Sequence, residues 1–207
     1  TQNLRLINKT ITSADSNVSA NFTVPASALW TDTSYTAPHA YYNNDTDYGA
    51  YYNWYTATAG TGTNSVPSGD ASSSICPKGW RLPTGGSSGE FQALYAKYPN
   101  SNSSTGWVAA ASGPNGKAGR WIGASTTTGG AFFPAAGYMY TDNGSLSSVG
   151  SYGYYWSSTA NDANSAYRLL FNSSYINPAA NYNKYSGYSV RCVADSYAEA
   201  ELVRENC

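Results

Sequence analysis

Few groups in this 207-residue chain could do covalent or metal chemistry: three cysteines (Cys76, Cys192, Cys207), one histidine (His39) and 12 carboxylates. The cysteines form no CxxC and no Cys/His cluster, so a thiolate zinc site is not indicated. His39, in the loop-like "YTAPHAYYNND", has nothing around it that would make a general base or a triad. Glu90 reads as a helix cap and Glu199 stands apart from it, so no carboxylate pair is set for acid/base work. Asp45 and Asp47 in "NNDTDYG" are one candidate patch for Ca²⁺, which takes about six to eight oxygens; an Asx-rich turn explains the same residues. The expectation is no catalysis, no metal and no cofactor. In an oxidising compartment Cys76 and Cys192 would close a loop of about 116 residues, nominally worth about 4–5 kcal/mol, with Cys207 unpaired near the end.

What remains is the chemistry of contact. The stretch Tyr154–Val193, "YYWSSTANDANSAYRLLFNSSYINPAANYNKYSGYSVRCV", is crowded with Tyr, Asn and Ser. Tyr supplies a large, rigid, amphipathic contact for two torsions, and Ser and Asn supply adaptable hydrogen bonds, which is why paratopes use them. In "SAYRLLFNS", Tyr167, Leu169 and Phe171 alternate with Ala166, Arg168, Leu170 and Asn172, so a strand buries the first set and presents the second, Arg168 and Leu170 foremost. "SSYINPAANYNKYSGY", with Pro178 and Gly187, reads as a long loop; "YSVRCV" resumes a strand with Val190 and Cys192 on one face. The expected ligand-binding surface is one contiguous exposed set: Asn161, Asp162, Asn164, Ser165, Arg168, Leu170, Tyr175, Asn177, Asn181, Tyr182, Asn183, Tyr185 and Ser186. Trp156, Leu169, Phe171 and Val190 should support it from behind, and Tyr175, Tyr182, Tyr185 and Arg168 should be its hot spots.

The rest of the chain must position that surface. Residues 1–35 mix short apolar alternations with Ser/Thr/Asn breaks, as short strands and loops do. The clearest helix is "SSGEFQALYAKYP": Ser87 and Glu90 suggest a capping box, Phe91, Leu94, Tyr95 and Tyr98 share one face, and Pro99 ends the pattern. From Trp107 the grammar is that of strands, with Asn143-Gly144 as a hairpin signal. The fold class is therefore α+β and loop-rich, with a core of Trp80, Leu82, Phe91, Leu94, Trp121, Trp156, Leu169, Phe171 and Val190.

Charged residues are 11% and the net charge is −1, which leaves no electrostatic footprint for nucleic acid or anionic lipid. No run approaches the roughly 20 apolar residues that span a bilayer, so direct membrane insertion is not expected. The opening Thr1-Gln2-Asn3 reads as the start of an excised piece. Seven Asn-X-Ser/Thr triplets, Asn8, Asn44 and Asn172 among them, are discounted because Ser and Thr are so frequent.

The ordered motifs "YGAYYNWYTATAGTGT", "SICPKGWRLPT", "GEFQAL", "FFPAAGYMY", "GYYWSST" and "GYSVRCV" resemble the Fibrobacter succinogenes major paralogous domain family over roughly residues 36–194. The resemblance implies a C-type-lectin-like fold with short helices around a small, twisted, mostly antiparallel sheet. Residues 1–35 would belong to the same domain, 36–194 would hold the lectin-like part with its variable-looking region 154–193, and 195–207 would be a tail. It also implies a secreted or surface-displayed bacterial protein, this chain being part of a larger one, and for some members diversification by a retroelement that rewrites adenine positions at the 3′ end of the gene. The partner would then be a protein or glycan on another cell or host surface, bound in the manner of an adhesin or receptor. A non-variable structural or carbohydrate-binding module of a cell-envelope protein is the alternative. Calcium-dependent lectins carry Glu-Pro-Asn and Trp-Asn-Asp motifs, whereas this chain has Trp156-Ser157-Ser158. Formylglycine-generating enzymes of the wider fold use a cysteine pair, but Cys76 and Cys192 sit in apolar, strand-like contexts where thiols are inert or bridged.

Overall fold

The structure, a computed structural model, describes residues 3–6, 10–24, 40–42 (backbone only), 48–97, 106–122, 130–140 and 144–195. His39, Asp45, Asp47, Asn8, Asn44, Tyr98, Pro99, Asn143, Glu199 and Cys207 lie outside the described residues.

Small antiparallel sheets and few helices make up the domain. Strands β1 (Thr10–Ile11) and β2 (Phe22–Thr23) pair, as do β3 (Ala40–Tyr42) and β4 (Ala50–Tyr52). The aromatic run "YGAYYNWYTATAGTGT" divides: Ala50–Tyr52 is strand, and Asn53 then caps a single turn α1 (Trp54–Ala57), its side chain accepting from the Thr56 N–H. Next come β5 (Gly69–Asp70), β6 (Trp80–Arg81) and α2 (Glu90–Lys97). Strands β7 (Trp107–Val108), β8 (Gly119–Ile122) and β9 (Ala131–Pro134) form a three-stranded sheet, and β10 (Tyr138–Met139) pairs with β11 (Leu146–Ser147). The main sheet runs β14 (Ile176–Asn183), β13 (Ser165–Phe171), β12 (Gly153–Ala160), β5 in spatial order; β15 (Val193–Ala194) returns to pair with β6.

Two findings correct the sequence reading here. The "long loop" after Phe171 contains an eight-residue strand, β14, at the outer edge of the main sheet, the place where a proline such as Pro178 costs no ladder bond. The helix cap is also different from the one expected. Thr84, rather than Ser87, exchanges bonds with Glu90: the Thr84 hydroxyl accepts from the Glu90 N–H at 2.9 Å, and the Glu90 carboxylate accepts from the Thr84 N–H at 2.9 Å. Arg81 adds a two-pronged pair to the same carboxylate at 2.6 and 2.8 Å, which ties α2 to β6.

The main sheet is buried on both faces. Tyr155, Leu169, Phe171 and Ile176 pack with Phe91, Ile122 and Phe133 on one side; Trp156, Ala166, Tyr188 and Val190 belong to a second cluster with Trp54, Leu82 and Cys76 on the other. Gly153 is where the strand must come close, since a Cβ there would sit 2.1 Å from the Phe171 ring. Of the expected core, Trp80 is the exception: it is 45% exposed on the short β6, while Leu94 and Trp121 are half-buried at the margin. Cys76 and Cys192 form a disulfide across 116 residues, joining the segment before β6 to the one before β15.

Candidate functional site

The pleat decides which residues of the β12–β13–β14 hairpins share a face. Tyr154, Leu170 and Asn177 are cross-strand neighbours, as are Trp156, Arg168 and Ala180, and Ala166 with Tyr182. These residues form one face; Asn181 and Asn183 pair with Tyr167 and Ser165 and belong to the other. The thirteen expected surface residues are thus split between two faces and two ends of a hairpin.

Several of them do structural work instead. Asp162 holds the β12–β13 turn, accepting from the Asn164 N–H (2.8 Å), the Ser165 N–H (2.7 Å), the Ser165 hydroxyl (2.6 Å) and the Asn161 amide (2.8 Å). Those bonds, the Ser165 hydroxyl first, hold its carboxyl down at about 2. Ser165 and Ser186 are buried, contrary to expectation. Asn183 donates to the Tyr185 hydroxyl at 2.6 Å, and both are half-buried. Tyr175, Asn177, Asn181 and Tyr182 are exposed, and Leu170 is half-buried.

Arg168 is the largest correction. It was expected outward in solvent and is only 7% exposed, with its guanidinium carbon 4.8 Å from the ring centre of Tyr154, 4.8 Å from Tyr182 and 4.7 Å from Tyr188. A cation over several ring faces is held by their quadrupoles. Around it the rings continue: Tyr154 stacks on Tyr152 and Tyr188, and Tyr138 meets Tyr140, Tyr154 and Tyr188 edge to face. Tyr140 (44% exposed) and Tyr182 (50%) carry this cluster to the surface, and Tyr175 (39%) is exposed just before β14. Burial pushes the Tyr154 phenol up to about 12 and raises Tyr188 and Tyr138, so all three keep their O–H at neutral pH.

Tyr138, Tyr140, Tyr152, Tyr154 and Tyr188 were missed as site residues. The signal for the first four was present in "GYMY" and "YGYY", where tyrosines two apart share a face; Tyr188 has no such partner. Lys184 was missed too. Buried under the hairpin turn, it donates to the carbonyls of Thr63 (3.0 Å), Val66 (2.9 Å) and Ala163 (3.1 Å) and lies over the Trp54 ring; burial lowers its ammonium to about 8. Only Asp162, Arg168, Lys184 and Arg191 are charged between Tyr154 and Val193, and that scarcity could have marked them.

A separate recess of about 510 Å³ is lined by Asp70, Arg81, Thr84, Ser158 and Asp195. Asp70 accepts from the Ser158 and Thr159 hydroxyls and Arg81 is engaged by Glu90, so these two charged groups are already partnered. Among the described residues no group of three His, Cys, Asp or Glu side chains could hold a metal ion.

With this geometry in hand, the family comparison is informative. The model of the Fibrobacter succinogenes major domain matches residues 2–194. The chain belongs to that family. The family match takes in residues 2–35, beyond the reach of the motifs, and the contacts agree: the Leu4 N–H donates to the Val190 carbonyl and Asn3 donates to the Tyr48 carbonyl. No curated protein and no solved structure matches the chain.

Proposed function

We propose that this member of the family is a ligand-binding module of adhesin or receptor type, with a C-type-lectin-like fold, displayed at or beyond a bacterial cell surface. The observation that carries the reading is the ring-framed Arg168 on a buried, disulfide-tied sheet, with exposed Tyr182 packed on its guanidinium, exposed Tyr140 joined to the same ring cluster through Tyr138, and exposed Tyr175 just before β14. Aromatic and Arg side chains supply most of the energy in interfaces, and rigid placement lowers the cost of ordering them. The β13–β14 hairpin and its flanks are the part we propose to be diversified by a retroelement, with Tyr175, Asn177 and Asn181 free to change and Asp162, Lys184 and the Arg168–Tyr182 pair constrained by the contacts they make.

Binding of the labelled domain to a panel of bacterial and host cells tests the reading, with Tyr140, Tyr175 and Tyr182 replaced together by Ala for comparison. Loss of binding by a variant that remains folded is expected; equal binding overturns it. Sequencing the locus in sibling isolates tests the diversification: substitutions scattered evenly over all loops would rule it out.

A further inference from the structure

Arg168 is a buried cation lacking the partner such a group ordinarily has. Its Nε is buried without an acceptor, and the ion pair among the described residues, Arg81 with Glu90, does not include it. Burying a guanidinium is costly unless its donors are met, and three tyrosine rings satisfy its charge without accepting its N–H hydrogens in the plane of the fork. The side chain is nonetheless held in one place by those rings. Such a guanidinium is preorganised for a planar, two-oxygen anion, the geometry for which Arg is chosen over Lys.

We infer that the Arg168 site takes a carboxylate, presented by an acidic side chain of a protein partner. This rests on the reading of the tyrosine face as a binding surface and adds its chemistry. A single cation matches the single charge of a carboxylate, whereas phosphate carries up to two. The neutral hydroxyl of Tyr154, whose ring faces the guanidinium, is a further donor in the same cluster. A protein acid fits better than a sugar acid because the two inner rings beside the cation, Tyr154 and Tyr188, turn their faces to each other and to Arg168, so that a pyranose seated on the guanidinium would have no face of these two to stack on.

The test is a titration of the isotope-labelled full chain with the peptide acetyl-Gly-Glu-Gly-amide, followed by amide shifts, alongside its Gln counterpart, glucuronate and inorganic phosphate. The Glu peptide is expected to move resonances of residues 154–156, 168–170 and 180–182 and to bind at least about fivefold more tightly than the Gln peptide, a charge-assisted difference. Arg168→Gln should remove that preference. If Arg168→Gln does not fold, Arg168→Lys, which keeps the charge and loses the fork, should reduce the preference severalfold. Equal binding of the two peptides, no binding of either, or stronger binding of phosphate or glucuronate would overturn the proposal. Should the Glu peptide fail while the three-tyrosine variant still loses cell binding, the anion specificity alone falls; should that variant also bind as wild type, the binding-surface reading falls with it.

Discussion

Arg168 and Tyr182 meet although neither is opposite the other in the ladder: Arg168 is registered with Ala180 and Tyr182 with Ala166, yet the guanidinium lies 4.8 Å from the Tyr182 ring centre. Two small residues leave the room into which the long ones lean along the diagonal. A double-mutant cycle of Tyr182→Ala and Arg168→Met should give a stability coupling of about 0.5–2 kcal/mol in chemical denaturation. A coupling of zero would mean that the ring does not hold the cation.

Phe171 is fully buried between Tyr155 and Phe133, whereas Leu94 sits half-buried at the edge of the same cluster. Phe171→Ala is expected to cost about 3–5 kcal/mol, at the full large-to-small scale. Leu94→Ala should cost distinctly less, about 1–2 kcal/mol, because part of its side chain is already in water. The reverse order in urea midpoints would place the core elsewhere.

Lys184 ties the Thr63–Val66 loop to the β12–β13 turn through three carbonyls. Lys184→Met keeps the stem and removes the donors, leaving acceptors unmet, and should cost about 2–3 kcal/mol. Because the residue is buried, the same change should leave surface contacts intact, so a lowered Tm with unchanged ligand binding is the expected pair of results.

Asp162 and Glu90 both have folded carboxyls below their ordinary values, Asp162 through its Ser165, Asn164 and Asn161 donors and Glu90 through Arg81. A depressed carboxyl contributes stability that is complete above its unfolded value and is lost as pH falls through the folded one. For Asp162 the loss runs from about pH 4 down to about 2. Asp162→Ala should therefore lower Tm at pH 7, by about 1 kcal/mol in free energy given its exposure, and the gap to wild type should narrow towards pH 2. A gap constant across that window would contradict the assignment.

Reducing the Cys76–Cys192 bond opens a loop of 116 residues and should cost roughly 2–5 kcal/mol, measured as the Tm difference with and without reductant. An unchanged Tm would show that the β6–β15 pairing holds the ends together unaided.

The parts of the fold legible in the sequence were those with a local cause. Alternation marked β13, and the apolar spacing with a stop marked α2, although the cap partner came from Thr84, three residues earlier than Ser87, because the chain folds back there to meet Glu90. β14 was not legible: Pro178 and a run of Asn and Ala hide a strand whose pairing is dictated by its neighbour β13 and not by its own pattern. The family was visible in the motifs, and the match now extends it to residue 2. At the site, exposure of Tyr175, Asn177, Asn181 and Tyr182 followed from polarity, whereas burial of Arg168 did not. Its environment is built by Tyr154 and Tyr188, which lie 14 and 20 residues away in sequence: the β12–β13 register brings Tyr154 close, and the bridges of residues 187–189 to Met139, Tyr52 and Tyr155 bring Tyr188. Trp80 shows the converse, since an apolar residue type gave no sign that β6 is too short to bury it.

The central claim is that the face around Arg168 carries binding, and one comparison tests it most directly: the dissociation constant of the domain on a cell type that wild type binds, for wild type, for Tyr140→Ala/Tyr175→Ala/Tyr182→Ala, and for Trp80→Ala. Trp80 is an exposed aromatic of equal or greater area that makes no part of the ring cluster, so it controls for nonspecific apolar adhesion. The triple variant is expected to remain folded, with Tm lowered only by what Tyr182 contributes in holding Arg168, and to bind at least about tenfold more weakly, since interface aromatics cost about 1–4 kcal/mol each, while Trp80→Ala binds as wild type. Undiminished binding by the triple variant, or an equal loss from Trp80→Ala, would contradict the account.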